Sequence, residues 1–176
     1  IAKQGLVAAK AYSGIAPDAA HALHMPAHIF TRVGYWKEST AANRESARVA
    51  GDRSLDGHHA ADYMVYAHLQ MAQDEAARKA MQYSLGLKPI DNFVAAFAYA
   101  AMPARMALER GDWGAAATVP LTPAADAYPW KKYPQAEAIN AFARGVGAAR
   151  TGNPVGTREQ QARLVALRDA AKELRL

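Results

Sequence analysis

The chain contains no cysteine, which removes thiol catalysis, disulfide bonds and every cysteine-based zinc site, and leaves the compartment open. Valine and isoleucine are sparse, and no stretch alternates apolar and polar residues convincingly, so strands are not expected. No apolar run is long enough to cross a bilayer, and no signal peptide is visible; a soluble folded protein is expected. Dense basic runs are missing too. The formal net charge is +5, but the lysines and arginines are scattered and match no nucleic-acid motif, so the charge reads as a solvated helical surface. Glycine-rich phosphate loops and the GxSxG nucleophile turn are absent, and Ser39, Ser46, Ser54 and Ser84 have no evident base.

Alanine is abundant, at roughly a quarter of the 176 positions. It is the best helix former, and its small side chain lets helices approach closely. The chain therefore reads as all-α. It opens on Ile1 rather than methionine, in what reads as mid-helix, so a fragment of a longer parent chain is expected.

A repeat organises the helices. "MPAHIFTRVGYW" (25–36) returns further on as "MPARMALERGDW" (102–113), with Met, Pro, Ala, Gly and Trp at the same offsets. Between them, "MVYAHLQMAQDEA" places Ala72 where the glycine belongs, and "GAARTGNPVGT" carries a fourth copy at Gly152. The marks Gly34, Ala72, Gly111 and Gly152 recur at about 40 residues, a period that indicates stacked helix pairs. Glycine suits these helix ends because it takes left-handed backbone angles without a clash. The spacing predicts helices near 19–33, 37–50, 58–71, 74–86, 92–110, 113–118, 135–150 and 156–175, with 2–13 belonging to a preceding unit. One domain over 1–176 is expected, in units of about 19–57, 58–91, 92–134 and 135–176, with 1–18 ending an earlier one.

"VGYWKES" and "RGDWGAA" resemble the inter-helix turn of tetratricopeptide repeats. The small residues seven positions before each turn (Ala27, Val65, Ala104, Gly145) and Pro17 and Pro89 after second helices fit the same pattern. The repeats depart from it in being longer than the family's usual unit of about 34 residues, and the third has a short second helix. "HMPAHIF" with "HHAADYMVYAHLQ" is similar to bacterial tetratricopeptide-like proteins of unassigned role. The resemblance implies a right-handed superhelix of antiparallel helix pairs whose first helices line a concave groove. That groove would carry His21, His24, His28, Thr31 and Arg32, then His59, Asp62, Tyr66, Leu69 and Gln70, then Arg105 and Glu109.

The histidines are the chemistry-bearing feature. Laying the first copy on the third turns His21 and His24 into Ala98 and Ala101 and His28 into Arg105, so the repeat itself does not need imidazoles. Laying it on the second aligns His21 with His59, His24 with Asp62 and His28 with Tyr66. Residues at i, i+3 and i+7 lie within about 60° of one another around a helix, so each set shares a face. Three uses are open. The rings can form a hydrogen-bonded polar network oriented by Asp62. They can join Arg32 and Arg105 in holding the carboxylate or backbone of a protein or peptide partner in the groove; this is the expected function, a scaffold rather than a catalyst, and a metal-binding protein or metal-dependent enzyme is the alternative. Or His24, His28, His59 and Asp62 can hold a divalent transition metal such as zinc, His24 and His28 having a helix-compatible i, i+4 spacing. No HExxH pair supplies a metalloprotease glutamate, and His58 and His68 join no cluster.

Two further expectations concern packing. Trp36 and Trp113, at matching places, are expected to wedge the two helices of a unit together. The proline-broken segment 118–134 is expected to form an ordered loop pinned by Tyr128, Trp130 and Tyr133 rather than to grip a ligand through them.

Overall fold

The computed structural model describes residues 2–12, 14–51 and 55–175, and over these the protein is all-helical. After a short 3-10 turn at Ala2–Gly5 come α1 (Leu6–Tyr12), α2 (Ala20–Val33), α3 (Trp36–Ala50), α4 (Leu55–Gln70) and α5 (Asp74–Gly86). Then follow α6 (Phe93–Leu108), α7 (Trp113–Thr118), α8 (Pro134–Arg150) and α9 (Pro154–Glu173). The helices group into two compact units, Ile1–Ile90 and Asp91–Leu176. Ile1, Ser54 and the last residue of the helix expected over 2–13 lie outside the described residues.

The four expected turns are built alike, down to the hydrogen bonds. Gly34, Ala72, Gly111 and Gly152 all have left-handed backbones, with φ of 78°, 56°, 63° and 73°. In each, the next residue's N–H donates five residues back: Tyr35 to Phe30, Gln73 to His68, Asp112 to Ala107 and Asn153 to Ala148. The turn residue itself donates three back, to Thr31, Leu69, Leu108 and Ala149. This pair of bonds satisfies carbonyls that a helix end otherwise leaves open. Ala72 makes the same turn in spite of its methyl group, which is why the second repeat was legible only by spacing.

In the first unit α4 is the central helix, packed against α2, α3 and α5. Ala60, Ala61, Val65 and Ala67 are fully buried there, and Leu23, Ala27 and Phe30 of α2 are buried as well. The α2–α3 contact is polar. Ser39, Asn43 and Ser46 recur at helical spacing on the buried face of α3. Each bonds α2: Ser39 Oγ pairs with Thr31 Oγ1 at 2.9 Å, Asn43 with His24, and Ser46 Oγ donates to the Ala20 carbonyl at 2.7 Å. Small polar side chains thus let the two helices approach while satisfying their buried groups.

In the second unit α8 packs against α6, α7 and α9. Ala104, Val119 and Ala143 form a core cluster with Leu108 and Ile139 beside it. A Cβ added at Gly147 of α8 would lie 2.2 Å from the Ala117 nitrogen of α7, so only glycine permits that helix approach.

The expectation for the tryptophans needs correcting. Trp36 and Trp113 are only half-buried, and each indole lies over the glycine of its own turn, 4.0 Å from a Cβ placed on Gly34 and 3.4 Å from one on Gly111. Trp36 meets Tyr66 edge-on at 5.6 Å, and the Arg150 guanidinium sits 4.8 Å over Trp113. They cover the turns rather than filling a core. The buried indole is Trp130, whose Nε1 donates to the Pro123 carbonyl at 2.9 Å. With Tyr128, buried edge-on against Tyr99 and donating to the Asn92 carbonyl, it pins the 118–134 segment as expected. Pro26 and Pro103 lie inside α2 and α6.

Candidate metal centre

α2 supplies the first two rings. His24 and His28 are one helical turn apart on the same face, close enough for side-chain contact. His24 is 1% exposed and His28 half-buried, and their Nε2 atoms lie 3.0 Å apart. α4 brings His59 and Tyr63, also four apart, against them. The His59 ring centroid is 4.4 Å from that of His24, and Tyr63 stands edge-on to His24 at 4.8 Å and to His28 at 5.1 Å. One ligand nitrogen from each of His24, His28 and His59 falls within 4.8 Å of the other two.

The surrounding bonds assign the protons. Asn43 Nδ2 donates to the Ser39 carbonyl at 2.8 Å, so its Oδ1 is the atom that accepts from His24 Nδ1–H, at 2.6 Å. His24 Nε2 therefore carries a lone pair and receives the His28 Nε2–H. His28 Nδ1 is then left to accept from the Tyr63 hydroxyl at 2.7 Å. The result is one directed chain, Tyr63 to His28 to His24 to Asn43 to Ser39, in which both imidazoles are neutral.

The electrostatics agree. Burial pushes His24 down to about 4 against the lift from its bond to Asn43, and the neighbouring His59, His28 and His21 push the same way as burial. Burial also lowers His28, helped by His21 and Arg32. His59 is lowered first by burial, then by His28 and His21, with Asp56 opposing. Neutral imidazole is the form that binds metals.

Comparison of the chain with family models, with curated proteins and with solved structures gives no match.

The other residues singled out from sequence are not among the grouped ligands, although the His21 ring lies 6.1 Å from that of His24. His21 is exposed at the rim, its Nδ1 3.4 Å from Asp56 Oδ1. Arg32 is exposed on α2. Asp62 is buried on α4 but is not among the grouped ligands, so the expected His₃Asp set reduces to three histidines. Tyr66, at the position equivalent to His28 in the next repeat, meets Trp36 edge-on. Arg105 belongs to the second unit, its guanidinium 5.9 Å over Phe97, and Ala98 and Ala101, which stand where His21 and His24 would be, are buried.

His58 and His68 have separate structural roles. His58 is fully buried, with Nδ1 2.9 Å from Ser84 Oγ and Nε2 donating to the Lys88 carbonyl at 3.2 Å. Burial lowers its pKa against the lift from the Lys88 bond. Ser84 thus has an imidazole partner that the sequence did not reveal, in a place closed to solvent. His68 Nδ1 pairs with Gln73 Oε1 at 2.8 Å beside its own turn.

Two residues of the centre were missed. Tyr63 had a signal, since its spacing from His59 repeats that of His28 from His24. Asn43 had none: a lone amide in "STAANRES" resembles any polar residue on an exposed face.

Proposed function

We propose that the first unit is a metal-binding module in which His24, His28 and His59 hold one divalent transition metal, with zinc the best-suited ion. The observation that carries this reading is the convergence of three neutral imidazoles from two helices on one point. Two nitrogens bound tetrahedrally to a zinc at about 2.0–2.1 Å are about 3.3–3.4 Å apart. The His24–His28 pair at 3.0 Å has only to open by a few tenths of an ångström to accept the ion. His59, half-buried, closes the remaining distance by turning its ring. An all-imidazole set without carboxylates favours zinc, copper or nickel over magnesium or calcium.

The outer bonds are those a metal site requires. Asn43 holds the His24 tautomer that leaves the Nε2 lone pair available, the kind of support that keeps a ligating histidine oriented. At His28 the ion takes the place of the Nε2 proton. The ring then carries its proton on Nδ1 and donates it to Tyr63 Oη, reversing that bond while the imidazole stays neutral.

The test is the metal content of untagged protein loaded with zinc and freed of excess by gel filtration. About one zinc per chain is expected, lost in the double variant His24→Ala/His28→Ala and kept in His21→Ala, whose ring is exposed and outside the ligand group. A wild-type protein that retains no metal rejects the reading.

A partner-binding scaffold is the second reading. It is favoured by the four equivalent turns, which support tetratricopeptide-type helix pairs, and by the exposed Arg32, His21 and Gln70 on the helices that carry the centre. In this reading a peptide carboxylate is held by Arg32 while the histidines, turned toward one another, serve the scaffold. Binding of an acidic peptide that is abolished by Arg32→Glu but indifferent to zinc supports it; a response to zinc alone favours the metal.

A further inference from the structure

We infer that the metal held by His24, His28 and His59 keeps one coordination position open, occupied by an exchangeable water that small monodentate anions displace. This rests on the metal-binding reading above and adds what the centre does with its ligand shell.

Asn43 Oδ1 and Tyr63 Oη bond to the cluster, and both are placed on the Nδ1 side of a histidine whose Nε2 faces its neighbour. An imidazole ring separates each of them from the metal position. Asp62 is buried on the same helix as His59 yet stands outside the group of converging ligand atoms. Asp56 lies at the rim against His21. Among the described residues, three protein ligands are therefore available to an ion that takes four, the arrangement of zinc sites that keep a water in the fourth position.

His24 is 1% exposed and closes the inner end, whereas His28 and His59 are half-buried and reach toward the surface. The vacant direction consequently lies on the solvent side. Charge favours an anion there. Neutral imidazoles leave the full double positive charge of the ion uncompensated. Arg32 and His21 add to the positive field that His28 feels, with Asp56 the opposing group near His59. An anion is the complementary ligand, and a bound water is acidified toward hydroxide. The exchange itself is a simple substitution in which the water leaves with its electron pair as the anion donates one of its own.

Cobalt(II) replaces zinc in such sites and absorbs visible light according to its coordination. The experiment loads the whole chain with cobalt(II), records the spectrum, and titrates azide. Tetrahedral-type bands that shift saturably with azide, at one azide per cobalt, are the expected result. Bands that azide leaves unmoved overturn the open position while leaving the metal site standing. In that case Asp62→Asn and Tyr63→Phe identify the fourth protein ligand, because removing it makes the spectrum azide-sensitive. A protein that takes up no cobalt overturns the inference together with the reading beneath it, so the two failures are distinguishable.

Discussion

Asn43 on α3 accepts a hydrogen bond from His24 on α2 at 2.6 Å, and this one contact decides which nitrogen of the centre's most deeply buried ring faces its neighbours. Replacing Asn43 with alanine strands the Nδ1–H in the interior, at a cost of about 1–3 kcal/mol. It also frees the tautomer, so zinc affinity should fall by about 10–100-fold. Thermal unfolding of the metal-free protein and competition with a chelator measure the two effects separately. Unchanged affinity in a folded Asn43→Ala protein removes Asn43 from the centre.

Ala72 holds a left-handed backbone that the other three turns give to glycine. A non-glycine residue there is strained by about 1–2 kcal/mol, of which glycine's greater unfolded-state freedom takes back a part. Ala72→Gly should therefore stabilise by about 0.5–1 kcal/mol, and Gly34→Ala should destabilise by a similar amount. Melting curves that move the same way for both substitutions contradict the equivalence of the turns.

The three tryptophans should separate by burial. Trp130→Ala removes a ring that is 3% exposed, and a loss of about 3–5 kcal/mol is expected. Trp36→Ala and Trp113→Ala uncover half-buried rings lying over turns and should each cost about half as much. Denaturant titration gives the order. Equal losses at all three positions refute the account of Trp36 and Trp113 as covers.

Tyr133 donates to Asp91 Oδ1 at 2.7 Å, with Lys132 on the same carboxylate. Burial first, then the bond to Asp91 and its negative charge, push the phenol from 10 up to about 12. A pKa raised on folding contributes stability that is whole below pH 10 and is lost as pH rises through about 12. Ultraviolet titration of the eight tyrosines should thus show a late step near that pH, absent from Tyr133→Phe. Disappearance of all phenols together near pH 10 excludes it.

Much of the architecture could be read from local chemistry. Alanine content, the absence of alternating segments, and the regular return of a small residue able to turn left-handed specify helix pairs and their turns, because those choices are made within a few residues of backbone. The spacing of His24 and His28 likewise guarantees one shared face. Which residues meet that face is a different matter. A repeat alignment matches whole units, and it set His28 against Tyr66, whereas the actual approach of α4 presents His59 and Tyr63 and brings Tyr66 to Trp36. An alignment in register fixes the position along a helix axis but not the rotation of one helix on another, and a single residue step swings a side chain by about 100°. The sequence by itself therefore determined the helices, their punctuation and the pairing of two imidazoles. The sequence offered His59 and Asp62 alike as further ligands; only tertiary packing decided that the converging group holds His59 without Asp62 and that Asn43 orients it, because contacts between helices depend on azimuth and depth that no local pattern carries.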